Sequence, residues 1–392
     1  MCEVADPLMC AGPLPGAAVA TVVHVVGSAY RREGARMLMQ EDGSASGAIS
    51  GGCLELEVQE AAREAARSGR PRLVHFDMTA DDDVVWGLGL GCNGRIDVLI
   101  EPLLPPVSQC LARIQKARRA GQRLAAAAVV HSPGGQPPVG ARLYVYEDEV
   151  CGTLGAPELD RAVVADARSL LTAGASRSFL YITGPDGRVR PVRDRQAIVD
   201  RRAEGVQVFV EAVVPPPRLV VFGAGHDAIP LVRCAASAGF QVEVVDSRPA
   251  YARSERFPGA HRVVCAHPDQ LPGDVRFDRD TYAVVMTHNF HQDKEILTRI
   301  WGRPYAYLGL LGPWQRTERL LRALEADGLA VAEHLDRLFA PIGLDLGAEG
   351  PEQIAVAVVA ELLAARNGRS GGFLRFRRGP LHRETLESET PV

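Results

Sequence analysis

Residues 219–246 read LVVFGAGHDAIPLVRCAASAGFQVEVVD, and they constrain the fold more than any other stretch of the chain. An apolar run at 219–222 meets Gly223-Ala224-Gly225. A helical pattern follows with Leu231, Val232 and Ala235 on one face, then Gly239, a second apolar run and Asp246. That is the order a mononucleotide-binding βαβ unit needs. The first glycine makes the tight turn, the second lets backbone N–H groups approach a phosphate, and the helix N-terminus favours its negative charge. Asp246 stands 21 residues after Gly225, near where an acidic residue would accept from a ribose hydroxyl. The pattern favours a phosphate-bearing ligand over a purely structural turn.

Three positions depart from it. Ala228 replaces the third glycine, where only close helix–strand packing is at stake. Asp227 falls in the first helical turn, where its carboxylate would satisfy the free N–H groups itself and repel a pyrophosphate. A protonated His226 would offset that charge. Pro230, near the end of the same turn, is expected to disturb the helix start. The fold expectation survives all three, whereas tight NAD binding does not follow.

Beyond Arg218 the chain alternates strand-like segments (218–222, 241–246, 283–286, 305–310) with helix-like ones (226–238, 292–301, 314–327). Such alternation predicts an α/β fold, here a Rossmann-like doubly wound parallel sheet over 218–370. The last helix has Pro351 at its start, Glu352 in its first turn and Arg366-Asn367-Gly368 at its end. A basic and then polar tail, 371–392, follows. Val214-Pro215-Pro216-Pro217 lacks three backbone donors and reads as a linker, 214–217. Before it, 1–213 reads as an N-terminal mixed α+β domain. A β meander covers 17–50 with Glu41-Asp42-Gly43-Ser44 as a hairpin turn, a helix covers 54–68, and strands stand at 72–76, 95–100 and 142–146.

With 392 residues, 46% of them hydrophobic, the chain can bury cores for two or three domains. Its net charge of −4 gives no footing for nucleic acid or an anionic membrane as partner. The apolar stretches 17–26 and 124–130 are too short to span a bilayer. Glu3 and Asp6 stand where a secretion signal would carry positive charge, so a cytoplasmic protein is expected. The eight cysteines contain no CxxC, which argues against a zinc knuckle and for free thiols in a reducing compartment.

Two glycine–cysteine junctions stand out in the first half. In Ser50-Gly51-Gly52-Cys53-Leu54-Glu55 a strand turns directly into a helix. The glycines bare a backbone nest, and Cys53 sits at the positive end of a helix, which favours a thiolate. In Trp86-Gly87-Leu88-Gly89-Leu90-Gly91-Cys92-Asn93-Gly94 four glycines put Cys92 on a loop whose backbone can approach a ligand. Either alone reads as a structural turn with an incidental cysteine. Two in one domain balance that reading against an anion site with thiol character.

These junctions, with residues 27–37, the GAGHDA turn, Val285-Met286-Thr287-His288, residues 307–312 and APIGLDLGAE at 340–349, resemble the xanthine dehydrogenase accessory proteins of the XdhC/CoxI family. The resemblance covers most of the chain, and GGCLE together with APIGLDLGAE is its most specific part. It implies a protein that binds the molybdenum cofactor (molybdopterin), a pterin with a dithiolene-held metal and a phosphate. Such a protein holds the cofactor while it receives its terminal sulfur, with a cysteine desulfurase as partner, and passes it to a molybdenum hydroxylase client. It further implies a homodimer and a chaperone rather than an enzyme. Ser50 departs from the family's usual glycine, and Gly312-Pro313-Trp314-Gln315-Arg316 has fewer basic residues than the commoner form, leaving Arg316 and Arg319 to contact an anion.

The chemistry suits that cargo, since an anionic, oxygen-labile complex needs N–H nests and a soft ligand. Candidate cofactor-binding residues are Gly51, Gly52, Cys53, Glu55, Gly91, Cys92, Gly223, Gly225, His226, Asp246, Thr287 and His288, with Cys53 as the metal-side ligand. His288 follows a predicted central strand, so it faces the crevice of Gly225 and Asp246. His288, His291 and Asp293 as metal ligands fit no firm spacing. Asp345 and Glu349 either close over the crevice or begin the last helix with negative charge. The rival readings are an NAD(P)-dependent oxidoreductase with His288 as acid–base group, and a nucleotide-sensing regulatory module.

Overall fold

The computed structural model describes residues 14–78, 94–270, 273 and 275–376, in two compact units that divide between Pro215 and Pro216. The first unit carries two antiparallel sheets. Strands β1 (Ala18–Gly27), β2 (Arg36–Met39), β3 (Ala45–Gly47), β4 (Arg72–Asp77) and β5 (Gly94–Pro102) lie in the order β3-β2-β1-β5-β4. The hairpin at 41–44 is closed by Gln40 N–H donating to Ser44 O at 2.9 Å, with Gly43 supplying the left-handed residue. Helix α1 (Glu55–Ser68) covers this sheet through Val58, Ala62 and Ala65, spaced three and four apart.

The second sheet contains β6 (Leu124–His131), β7 (Arg142–Val145), β8 (Val150–Thr153), β9 (Arg177–Thr183), β10 (Val189–Val192) and β11 (Val206–Val213), ordered β10-β9-β11-β6-β7-β8. Helices α2 (Pro105–Ala120), α3 (Pro157–Ala173) and the short α4 (Arg195–Asp200) complete the unit. Val23 and Leu99 of the first sheet share a core with Val130 and Phe209 of the second. Buried ion pairs also join the sheets. Arg36 Nη1 donates to Glu211 Oε1 at 2.8 Å, Arg142 Nη2 to Glu101 Oε2 at 2.6 Å, and Arg202 pairs with Asp97. Burial pushes the Glu211 carboxyl up, but the charge and hydrogen bonds of Arg36 prevail and hold it below the usual range.

The second unit is a single parallel sheet of β12 (Arg218–Phe222), β13 (Gln241–Asp246), β14 (Arg262–Cys265), β15 (Thr281–Val285), β16 (Tyr307–Leu310) and the two-residue β17 (Leu338–Phe339). Its order is β14-β13-β12-β15-β16-β17, with every neighbouring pair parallel. The strand order reverses between β12 and β15, and the crevice outside the carboxyl ends at such a point is where ligands of these sheets gather. Helices α5 (Ala228–Ser237) and α8 (Gly350–Arg366) share a core with Leu219 and Val221. Helices α6 (Phe290–Ile300) and α7 (Trp314–Ala326) share the other with Val220 and Phe222. Alternate residues of β12 therefore feed opposite cores, which is why the strand is apolar from Leu219 to Phe222.

One expectation is corrected here. Pro230 does not disturb its helix, since α5 runs unbroken from Ala228 with Pro230 buried as its third residue. At that position the missing N–H is one that no helix carbonyl would have paired. Strands β14 and β17 were not expected from the sequence at all.

Candidate functional site

In the second unit, Gly223 follows β12 at φ 112°, and a Cβ there would stand 2.6 Å from Met286 O. Only glycine lets the turn pass so close to the end of β15. Asp246, at the end of β13, is held by its own surroundings. Its Oδ2 accepts from Ala224 N at 2.7 Å, its Oδ1 from Arg248 N at 2.8 Å, and both oxygens from the Arg248 guanidinium. Burial pushes this carboxyl up, yet the hydrogen bonds from Arg248 and the Ala224 amide outweigh it and keep it below the usual carboxylate range. The amides of Gly225, His226 and Asp227 meet no acceptor among the described residues. His226 stands edge-on to Tyr251, over which the Arg248 guanidinium lies at 4.0 Å.

Asp227 overturns its expected role. It is the residue before α5, but its side chain caps nothing. It reaches instead across the crevice, where its Oδ2 lies 2.6 Å from His288 Nε2. His288 is the one non-glycine with positive φ among the described residues, at 61°. Its neighbours are fixed on both sides. Thr287 donates its amide to Asp293 Oδ1 at 3.3 Å and its hydroxyl to the same carboxylate, and Asn289 caps α6 by accepting from His291 N and Gln292 N. Asp293 is fully buried and takes Arg316 Nη1 at 2.5 Å. Thr287 and Arg316 are thus engaged in holding the strand end, while Arg319 lies over the Phe290 ring. The amide of Gly343, in the segment before α8, donates to Glu361 Oε1 at 3.0 Å. Glu349 stands at the start of α8 and donates its amide to Gln353.

In the first unit the Gly-Gly-Cys bend is braced by two polar side chains. Glu55, the first residue of α1, accepts from Ser50 N at 3.0 Å, from Leu54 N at 3.1 Å and from the Ser50 hydroxyl. Ser50 Oγ in turn accepts from Gly52 N at 3.1 Å. Burial raises the Glu55 carboxyl, and the hydrogen bonds from Ser50 and Leu54 outweigh it and lower it overall. Gly52 has φ 114° with nothing within 4 Å of a Cβ built on it, so its backbone faces open space. Cys53 is an exposed free thiol, and the amides of Gly51 and Cys53 meet no acceptor among the described residues. Ser50, which departs from the resemblance, is therefore the residue that braces the bend. Gly91 and Cys92 lie outside the described residues, as do Cys2 and Cys10.

The suggested trio of His288, His291 and Asp293 does not form a ligand set, because Asp293 is turned to Thr287 and Arg316. Among the described residues the one group with metal-binding spacing is His267, Asp269 and Glu295, which sequence reasoning missed because Glu295 stands far along the chain from the other two. The other feature missed is the Asp227–His288 pair, whose only trace in the sequence was that each residue follows a strand.

Comparison with known proteins agrees with this architecture. Residues 219–362 match the XdhC Rossmann domain, and residues 16–77 and 117–182 match the XdhC and CoxI family. A probable xanthine dehydrogenase subunit of Bacillus subtilis is 32% identical over 89% of this chain and 93% of its own length. The molybdenum cofactor insertion chaperone PaoD of Escherichia coli is 23% identical over 90% of this chain and 84% of its own. A crystal structure of a xanthine dehydrogenase from Bacillus halodurans superimposes with a TM-score of 0.73 at 31% identity, covering 94% of this chain and 96% of that one. No helix among the described residues is long and apolar enough to cross a membrane.

Proposed function

This chain belongs to the XdhC and CoxI family, and from that premise we propose that it binds the molybdenum cofactor as cargo, holds it during sulfuration and delivers it to a xanthine-dehydrogenase-type hydroxylase. The accessory role rests on family membership and on the likeness to a cofactor insertion chaperone. The holding step rests on one observation: an exposed thiol on a braced bend whose neighbouring amides lack acceptors.

The donor set fits the cargo. A thiol is a soft ligand suited to a molybdenum–sulfur centre, and N–H groups on a glycine bend suit anionic oxygen. Glu55 and Ser50 fix the bend without occupying Cys53 or the Gly51 amide, so the site is shaped before cargo arrives. In the second unit the amides of Gly225 and His226 offer an anion site of their own. A dinucleotide there is disfavoured, because Asp246 already holds Arg248 and the Ala224 amide and has little capacity left for a ribose hydroxyl. A homodimer, a cysteine desulfurase as sulfur donor and a cytoplasmic setting complete the reading.

Protein purified under nitrogen, denatured and oxidised should release a fluorescent pterin. Cys53→Ala should lose most of that pterin and keep its melting temperature, since an exposed side chain contributes within about 0.5 kcal/mol. Unchanged pterin in the variant removes Cys53 from the site. A nicotinamide or adenine absorbance in place of pterin overturns the cargo assignment.

A further inference from the structure

The Asp227–His288 pair stands at a cavity in the second unit. About 420 Å³ in volume, it lies at the carboxyl ends of β12, β15 and β16. Its walls are apolar: Leu231 of α5, Val284 and Met286 of β15 and its end, Leu311, Ile342, and Val358 of α8. Protein interiors seldom leave voids larger than a water molecule, and ligand pockets run from roughly 300 to 1,000 Å³, so this space is a pocket and not a packing defect. The side chains that bring polar atoms to its lining are Asp227 and His288.

Those two are held with some care. A non-glycine residue at φ 61° costs about 1 kcal/mol, and such a conformation persists only where its surroundings impose it. Here Thr287 is tied to buried Asp293 on one side and Asn289 to the first turn of α6 on the other. The imidazole is thereby delivered to Asp227 Oδ2 at 2.6 Å. In its neutral form the imidazole donates Nε2–H in that contact and keeps the lone pair on Nδ1. Nδ1 has no partner among the described residues.

We infer that this pocket binds a flat, uncharged heteroaromatic ring, with the apolar walls on its faces and one ring N–H donated to His288 Nδ1. An anionic ligand would lose its hydration against these walls and meet the Asp227 carboxylate. A wholly apolar ligand would leave Nδ1 unpaired as water is displaced. The pocket is lined wholly by residues of the second unit.

The test uses the full chain and ligand-observed NMR with calorimetry. The probes are benzimidazole and indole, each set against its N-methylated counterpart, with benzoate as the anionic control. Both N–H rings should bind, and each N-methyl ring about tenfold more weakly. His288→Asn, which tolerates the left-handed backbone, should weaken the N–H rings about tenfold and leave the N-methyl rings unchanged. Ile354→Trp, at the partly exposed edge of the pocket, should abolish binding of all four rings. Equal affinity of the N–H and N-methyl rings, binding indifferent to both variants, preference for benzoate, or no binding by any ring each overturn the assignment. So does a second copy occupying the pocket, seen as dimer dissociation in Ile354→Trp. Pterin retention should be the same in Ile354→Trp as in the parent protein, which separates failure here from failure of the cargo reading.

Discussion

Asp246 offers the sharpest quantitative test of the Rossmann turn. Asp246→Ala removes the acceptor of the Ala224 amide at 2.7 Å and of the Arg248 amide at 2.8 Å, together with the Arg248 ion pair. Ala224 is completely buried, so its orphaned N–H costs about 1–3 kcal/mol. The Arg248 side chain is 45% exposed and regains water, which limits its share to at most about 1 kcal/mol. The sum is about 3 kcal/mol. With a urea slope of about 2 kcal/mol/M the transition midpoint should fall by about 1.5 M. Trp301 and Trp314 report on this unit, and a Trp86→Phe background removes the third tryptophan. Asp246→Asn keeps one acceptor for Ala224 and should lose only about half as much. The pH dependence has a definite sign. Because the folded carboxyl is depressed, its stabilisation is fully present above the unfolded value of about 3.9 and disappears as pH falls through the lower folded value. The gap between parent and Asp246→Ala should therefore shrink below about pH 4. A loss under about 1 kcal/mol, or equal losses for Ala and Asn, would refute the claim that this carboxylate holds the glycine turn.

Three further expectations concern the scaffold. Gly223→Ala drives a Cβ into Met286 O at positive φ and should destabilise the second unit by at least about 2 kcal/mol in the same urea assay. Arg36→Met strands buried Glu211, with Arg118 3.9 Å away as partial compensation, so a loss of about 3 kcal/mol is expected. Adding Glu211→Gln should restore most of it, and an additive double variant would contradict the pairing. Burial lowers the pKa of His24, so its unprotonated form is stabilising above about pH 6.5 and that contribution is lost as pH falls through the folded value. Melting temperatures of the first unit should drop across that window, and His24→Gln should flatten the drop.

The Rossmann unit was legible because its strands are buried on both faces: 219–222 is an unbroken apolar run, and Val242, Val244 and Val245 mark the next strand before Asp246. The 41–44 hairpin was legible for a similar reason, with Asp42-Gly43 between alternating segments. β14 and β17 escaped because four and two residues carry too little pattern, and β17 pairs only through Leu308↔Leu338 and Gly309↔Phe339. Within the site, local chemistry was readable and side-chain direction was not. Asp227 looked like a helix cap because of its sequence position, yet its partner lies 61 residues onward. Asp246 looked free for a ribose because nothing in the sequence announces that Arg248, two positions on, folds back over it. The GGC bend showed its glycines and thiol, but not that Ser50 and Glu55 would close over one another beneath it.

The blunt borders of the parallel sheet bear on how this protein can associate. The outermost strand on one side offers four residues and that on the other only two. A foreign strand laid along either rim would find almost no ladder to extend, so fibre-like growth by edge addition is suppressed at the backbone level. Self-association involving this unit must then proceed through side-chain surfaces. That makes any dimer sensitive to single surface substitutions, and it keeps this unit from recruiting copies of itself along its sheet edges.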